Sequence, residues 1–212
     1  MLKSFTIYFV ATGLIFCLNA CKEKKQELKQ DPARIIYKID TAKETPSPAA
    51  QRPPIINITD TVASRQIIIY VKDSARTSER IGEKLETIYK KTLPEFFQKN
   101  NIRKTGSRMA WFKTSGAPFY FEAGFPVDKK PKKTTRNIFV REIGGDSVVV
   151  AHFYGPYQLS YEGYGALKDW LKNNHKKASG APYEIYVTPP VDSTGKARDP
   201  YRVQTDIVMP HH

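Results

Sequence analysis

The sequence predicts an α+β fold: a tandem β-α-β-β repeat with pseudo-twofold symmetry, both helices on one face of the sheet and a ligand cleft on the other. Three observations carry this. From residue 66 the hydrophobic period changes in the order strand, helix, strand, strand. That succession occurs twice, over 66–126 and 139–210. Both copies end in similar apolar strands closed by Pro126 and Pro210.

In the first copy, QIIIYVK at 66–72 is a strand. Residues 78–99 form a helix with Ile81, Leu85, Ile88, Tyr89, Leu93, Phe96 and Phe97 on one stripe, and Pro94 kinks or restarts it. Two strands follow at 108–113 and 118–126. The second copy runs strand 146–154, helix 157–174 with Leu159, Ala166, Leu167, Trp170 and Leu171 inward, then strands 181–188 and 201–210.

Period-two alternation sorts the strand residues between faces. Apolar positions such as Ile69, Phe121, Phe153, Tyr183 and Ile207 go to the helix side. The opposite face then collects Tyr70, Trp111, Tyr120, Tyr154 and Tyr186, with Glu122, Glu184 and Asp206 among them. Aligning Pro126 with Pro210 sets Glu122 opposite Asp206, and matching Trp111-Phe112 to Glu184-Ile185 sets Trp111 on the face of Glu184. Aromatic walls around a carboxylate suit a cationic or aromatic small molecule. The same residues also read as ordinary cross-strand pairs facing water.

Composition limits the remaining classes. The 212 residues are 40% hydrophobic, enough for one compact domain, and two cysteines exclude a disulfide framework or a cysteine zinc cluster. Twelve Tyr, eleven Phe and two Trp favour a surface for planar molecules. The formal charge of +13 comes partly from KEKKQELKQD after residue 21 and partly from DKKPKKTTR at 128–136. These runs are expected to be solvated or drawn to anionic lipid heads, with no nucleic-acid partner. Residues 1–20 combine Lys3, an apolar run and small residues, the pattern of a secretory signal. They end in Leu18-Asn19-Ala20-Cys21, which resembles the lipobox of bacterial lipoproteins. The resemblance implies cleavage before Cys21, lipidation of its thiol and a place in the cell envelope, on the periplasmic or surface side of the outer membrane. Residues 21–65, with a short strand considered at 34–39, read as a tether, and 66–212 as the folded domain.

The stretch 144–210 resembles the GyrI-like small-molecule-binding domain, the effector-binding domain of bacterial multidrug-sensing regulators. The resemblance rests on Gly145 to Ala151 (GDSVVVA), Tyr154-Gly155-Pro156-Tyr157, Leu167-Lys168-Asp169-Trp170-Leu171, Pro182-Tyr183-Glu184-Ile185-Tyr186 and Thr205 to Pro210 (TDIVMP). Residues 66–143 match more loosely, through Phe121 to Val127 (FEAGFPV). It implies the duplicated fold, a cleft between the halves, and an acidic ligand contact at Glu184. The chain departs from the regulators in having a signal and tether where they carry a DNA-binding helix-turn-helix.

The expected function is therefore a lipid-anchored binder of small cationic or aromatic molecules, held by Glu184, Tyr186, Trp111, Tyr120, Tyr70 and Tyr154. The alternatives are a hydrolase of reactive small molecules using Glu184, since some GyrI-like proteins are hydrolases, and a protein-interaction module. No nucleophile–base pair of recognised spacing is present, which favours binding. No phosphate loop or HExxH occurs, and no histidine is placed as an axial ligand for haem, so neither a cofactor nor a metal is expected. His152 reads as a hydrogen-bonded strand residue and His175 as a helix terminus.

Overall fold

The computed structural model describes residues 52–114 and 116–212. The expected N-terminal signal, Cys21 and the strand expected at 34–39 lie outside the described residues.

Eight strands form one antiparallel sheet: β1 (Ile55–Val62), β2 (Gln66–Ala75), β3 (Arg108–Phe112), β4 (Phe119–Val127), β5 (Ile138–Ile143), β6 (Ser147–Tyr154), β7 (Tyr183–Tyr186) and β8 (Gln204–Pro210). Their order is β1-β6-β8-β7-β3-β4-β2-β5. The two repeats meet where β7 pairs with β3. Each repeat is flanked by one further strand, β1 outside β6 and β5 outside β2. Neither flanking strand was expected from the sequence. In β1, Ile56 and Ile58 turn towards the helices while Asn57, Thr59 and Thr61 face away, a clear period-two pattern. The folded body therefore includes residues 55–65, which the composition assigned to the tether.

The first helical segment is α1 (Ser78–Thr87), one wide turn at Ile88–Thr92, and α2 (Leu93–Asn100). Pro94 explains the wide turn, because it has no N–H to return to Lys90. The amide of Leu93 bonds instead to the Ile88 carbonyl, five residues back. This extra residue keeps Ile81, Ile88, Tyr89, Leu93, Phe96 and Phe97 buried together. In the second repeat a single tight turn at Tyr157–Leu159 leads into α3 (Ser160–Asn173). Asn101 and His175 close the two helical segments at equivalent places, with φ of 51° and 54°.

Directly paired residues share a face, so the ladder identifies both sides. One row crosses all eight strands as Ile58, Ala151, Ile207, Glu184, Ala110, Ala123, Val71 and Ile138. Ile69, Val71, Phe121, Ala123 and Phe125 pack under α1 and α2. Val149, Ala151, Phe153 and Ile207 pack under α3. Both helical segments thus lie on the face that carries this row. Gly163 lets α3 sit close, because a Cβ there would stand 2.7 Å from Ile207 Cδ1.

The other face is rolled inward, as a twisted sheet of this width tends to curl. Ile68 and Tyr70 of β2 meet Val148 and Val150 of β6 in a third core, together with Met109, Trp111, Tyr183 and Val208. Two short connections cross at the seam: the Ala63 amide bonds the Asp146 carbonyl at 3.0 Å, and the Gly145 amide bonds the Ala63 carbonyl at 2.7 Å. Gly144, at φ 96°, fits there because a Cβ would lie 2.1 Å from the Ser64 carbonyl oxygen. Among the described residues no helix is long and apolar enough to cross a membrane.

Candidate functional site

The row across the helix-side face contains seven apolar residues and one acid. That acid is Glu184, on the central strand β7, with 1% of its surface exposed. A lone carboxyl in such a place must satisfy its oxygens locally. It does so with tyrosines: Tyr157 donates to Oε2 at 2.6 Å and Tyr164 to Oε1 at 2.8 Å. Tyr186 adds a third hydroxyl contact from its own strand. Tyr157 stands on the turn before α3 and Tyr164 on the second turn of α3, so one short segment supplies two donors.

Tyr89, from the wide helical turn, completes the enclosure. Its ring meets Tyr186 edge-on at 6.3 Å, and its hydroxyl donates to the Met109 carbonyl at 2.7 Å. The cleft between the two helical segments, above β7 and β3, is therefore filled by four tyrosines over a buried acid. Arg108 sits at its edge, 5.4 Å from the Tyr89 ring centroid and paired with Glu86 at 3.2 Å.

The electrostatics follow from burial. Desolvation pushes the Glu184 carboxyl above the usual carboxylate range, and the hydroxyl bonds from Tyr157, Tyr164 and Tyr186 offset this only in part. Desolvation and the neighbouring Glu184 raise the Tyr186 phenol well above its ordinary value. Desolvation does the same for Tyr89, with Arg108 pulling the other way.

Two of the residues expected on the helix-free face are thus on the opposite one. Glu184 and Tyr186 face the helices, while Tyr183 and Ile185 face away. The reason is that β7 is covered on both sides, so placing polar residues outward has no meaning there. Glu184 pairs with Ala110 of the other repeat, one position from Trp111. A usable signal existed. Thr105 and Ser179 each donate an amide to the closing proline carbonyl, Pro126 or Pro210. Aligning Thr105-Gly106 with Ser179-Gly180 matches Glu184 to Ala110. Tyr89 and Tyr164 were not foreseen as site residues: Tyr89 was absorbed by the inward stripe of its helix, and Tyr164 fell outside the stripe read for the second helix.

Tyr70, Trp111, Tyr120 and Tyr154 do lie on the helix-free side, with Glu122 and Asp206, but they do not form one group. Tyr70 and Trp111 enclose Arg141 of β5, whose guanidinium carbon is 4.4 Å and 3.8 Å from their ring centroids. Trp111 also stacks on Tyr183 at 5.2 Å. Tyr120 is 51% exposed. Tyr154 donates to Gln204 Oε1 at 2.9 Å. His152 is the strand histidine expected, bonded through Nδ1 to Asp206 at 2.8 Å and through Nε2 to Thr59 at 3.2 Å. Among the described residues no group of three His, Cys, Asp or Glu is arranged to hold a metal ion.

No protein-family model and no curated protein matches this sequence. Solved structures do match its fold. The EcmrR C-terminal domain aligns with a TM-score of 0.62 at 16% identity, over 74% of this chain and 98% of that one. EcmrR in a DNA complex gives 0.60 at 16% identity, over 75% of this chain. This chain spans 57% of the length of EcmrR in that complex. An uncharacterized conserved protein from Listeria innocua gives 0.52 at 9% identity, over 77% of this chain and 94% of that one. The chain has the α+β fold of the EcmrR C-terminal domain, an eight-stranded antiparallel sheet with its helices on one face, as the GyrI-like resemblance implies.

Proposed function

We propose that this chain is a binding protein for small lipophilic or aromatic cations, which ionised Glu184 holds in the tyrosine-filled cleft between the helical segments. One observation carries the proposal. Glu184 is buried to 1% exposure, and its hydrogen-bond partners are phenols rather than a cation. Hydroxyls satisfy the carboxyl oxygens without neutralising the charge. A cation with aromatic surface supplies the missing charge and meets ring faces suited to it. Entry requires Tyr157 to swing away with the turn at Tyr157–Leu159 and the Tyr164 side chain to rotate on α3, so they act as a cover that the ligand displaces.

The pH dependence has a definite sign. Because the folded carboxyl holds its proton more tightly than an ordinary glutamate, a cation must expel that proton. Affinity for a cationic aromatic dye such as ethidium is expected to fall about tenfold per pH unit below the Glu184 midpoint and to level off above it. Fluorescence titration from pH 5 to pH 9 checks this, and an affinity constant across the range contradicts it. Consumption of the ligand in the same samples would turn the reading towards hydrolysis, with Glu184 as general acid or base.

The proposal includes a membrane partner and no nucleic-acid partner. Its support is the sequence before residue 22, where lipid on Cys21 would hold the domain at the cell envelope. Cys21→Ser is expected to move the protein from the membrane fraction to the soluble fraction. Its recovery in membranes after an alkaline wash would contradict the anchor.

A further inference from the structure

We propose that the helix-free face carries a second site, for a planar organic anion of the aromatic carboxylate class, built on Arg141. The guanidinium of Arg141 is held between the rings of Tyr70 and Trp111. Its Nη1 donates to Glu122 Oε2 at 2.6 Å. Nε and Nη2 are buried and have no hydrogen-bond partner. These two nitrogens form one edge of the planar group, the fork that accepts both oxygens of a carboxylate. Buried donors are rarely left unpaired, least of all two on one edge.

The ion pairs beside this edge are rich in cations. Glu122 is shared by three cations: Arg141 at 2.6 Å, Lys113 at 3.3 Å and Lys72 at 3.8 Å. Desolvation would raise the Glu122 carboxyl, but the Arg141 bond and Lys113 outweigh it and leave it lowered. Around Glu122 itself, one carboxylate faces three cations, and two of these, Arg141 and Lys113, also line an adjoining groove. That groove encloses about 280 Å³ and is lined by Trp111, Lys113, Arg141, Val148, Tyr183 and Pro210, among others. Glu142 and Asp146 line it as well, and Glu142 is taken up by Lys130 at 2.5 Å. The volume lies just under that of ordinary ligand pockets, which suits one or two fused rings. The Arg141 side chain retains 24% exposure, so a small turn of its stem presents the free edge to the groove.

This site is independent of Glu184, which lies on the other face and prefers the opposite charge. The experiment is a titration of the full chain with 1-naphthoate, followed by tryptophan emission in a Trp170→Phe background so that Trp111 reports. Saturable quenching is expected, with affinity reduced about tenfold or more in Arg141→Lys, which keeps the charge and loses the fork. Lys113→Met, at the rim, should weaken binding by a smaller factor that vanishes at high salt. Glu184→Gln should leave naphthoate affinity unchanged. Absence of saturation, equal binding by the neutral 1-naphthalenemethanol, or equal affinity in a folded Arg141→Lys protein would overturn the proposal. Loss of naphthoate binding in Glu184→Gln would overturn its independence from the cation cleft.

Discussion

Replacing Glu184 by glutamine is expected to separate binding from stability, in opposite directions. Affinity for a cationic aromatic dye should fall by about 3 kcal/mol, roughly a hundredfold, because one partner of a buried charge pair is removed. Thermal stability of the ligand-free protein should rise above the pH at which the wild-type carboxyl ionises. The wild-type carboxyl has its midpoint raised by burial, so any stability this group contributes is full below the ordinary glutamate range. It is lost as pH climbs through the raised midpoint, and above that midpoint the buried anion is a net liability. Glutamine has no such liability. Its carbonyl can accept the hydroxyls of Tyr157 and Tyr164, and its amide can donate to a phenolic oxygen. Calorimetry in parallel with dye titration measures both effects. A variant that is less stable and still binds would mean that Glu184 is a structural acid satisfied by its tyrosines.

The second large effect concerns the first strand. A chain beginning at residue 66 is expected to be less stable than one beginning at residue 52 by about 3 kcal/mol, and to aggregate. The shorter chain loses β1, which pairs with β6 from Ile55–Tyr154 to Val62–Ser147. It also loses the packing of Ile56 and Ile58 against the α3 core. Two half-buried isoleucines contribute about 2 kcal/mol, and the ladder bonds add about 1 kcal/mol net after chain ordering. Without β1 the long apolar strand β6 becomes an open sheet edge, the usual template for intermolecular pairing. Urea unfolding and light scattering of the two chains test this. Equal midpoints and equal solubility would show that β1 is an ornament of the sheet.

These two cases mark where sequence reading succeeds and where it stops. The repeat was legible because each core strand alternates cleanly and each helix shows its stripe. Ile69, Phe121, Phe153 and Ile207 faced the helices as expected, while Tyr183 did not. The β7 assignment failed for a physical reason. A central strand covered on both faces has no solvent side, so the polarity of Glu184 said nothing about direction; only its partners Ala110 and Ile207 did. The strand β1 was hidden by its setting, since Ile56 and Ile58 alternate correctly but follow a proline-rich, polar stretch. The rolling of the sheet was invisible for another reason. It depends on strands distant in sheet order, such as β2 and β6, coming together over Ile68, Tyr70, Val148 and Val150. No local pattern encodes that meeting.

The tyrosine enclosure shows the same limit. Tyr157 entered the sequence reading within the Tyr154-Gly155-Pro156-Tyr157 motif, but Tyr89 read as an ordinary core aromatic of its helix and Tyr164 carried no signal. They become site residues only because both helical segments flank β7 and β3. Proline at position 94 contributes to this, since the wide turn it imposes carries Tyr89.

The most direct measurement is a carbon-13 titration of the Glu184 side-chain carboxyl, by nuclear magnetic resonance, with and without a saturating cationic dye. The free protein should show a midpoint above that of ordinary glutamates, and the dye should pull it down by stabilising the anion. A carboxyl resonance whose midpoint does not move when the dye binds would contradict a cation seated on Glu184.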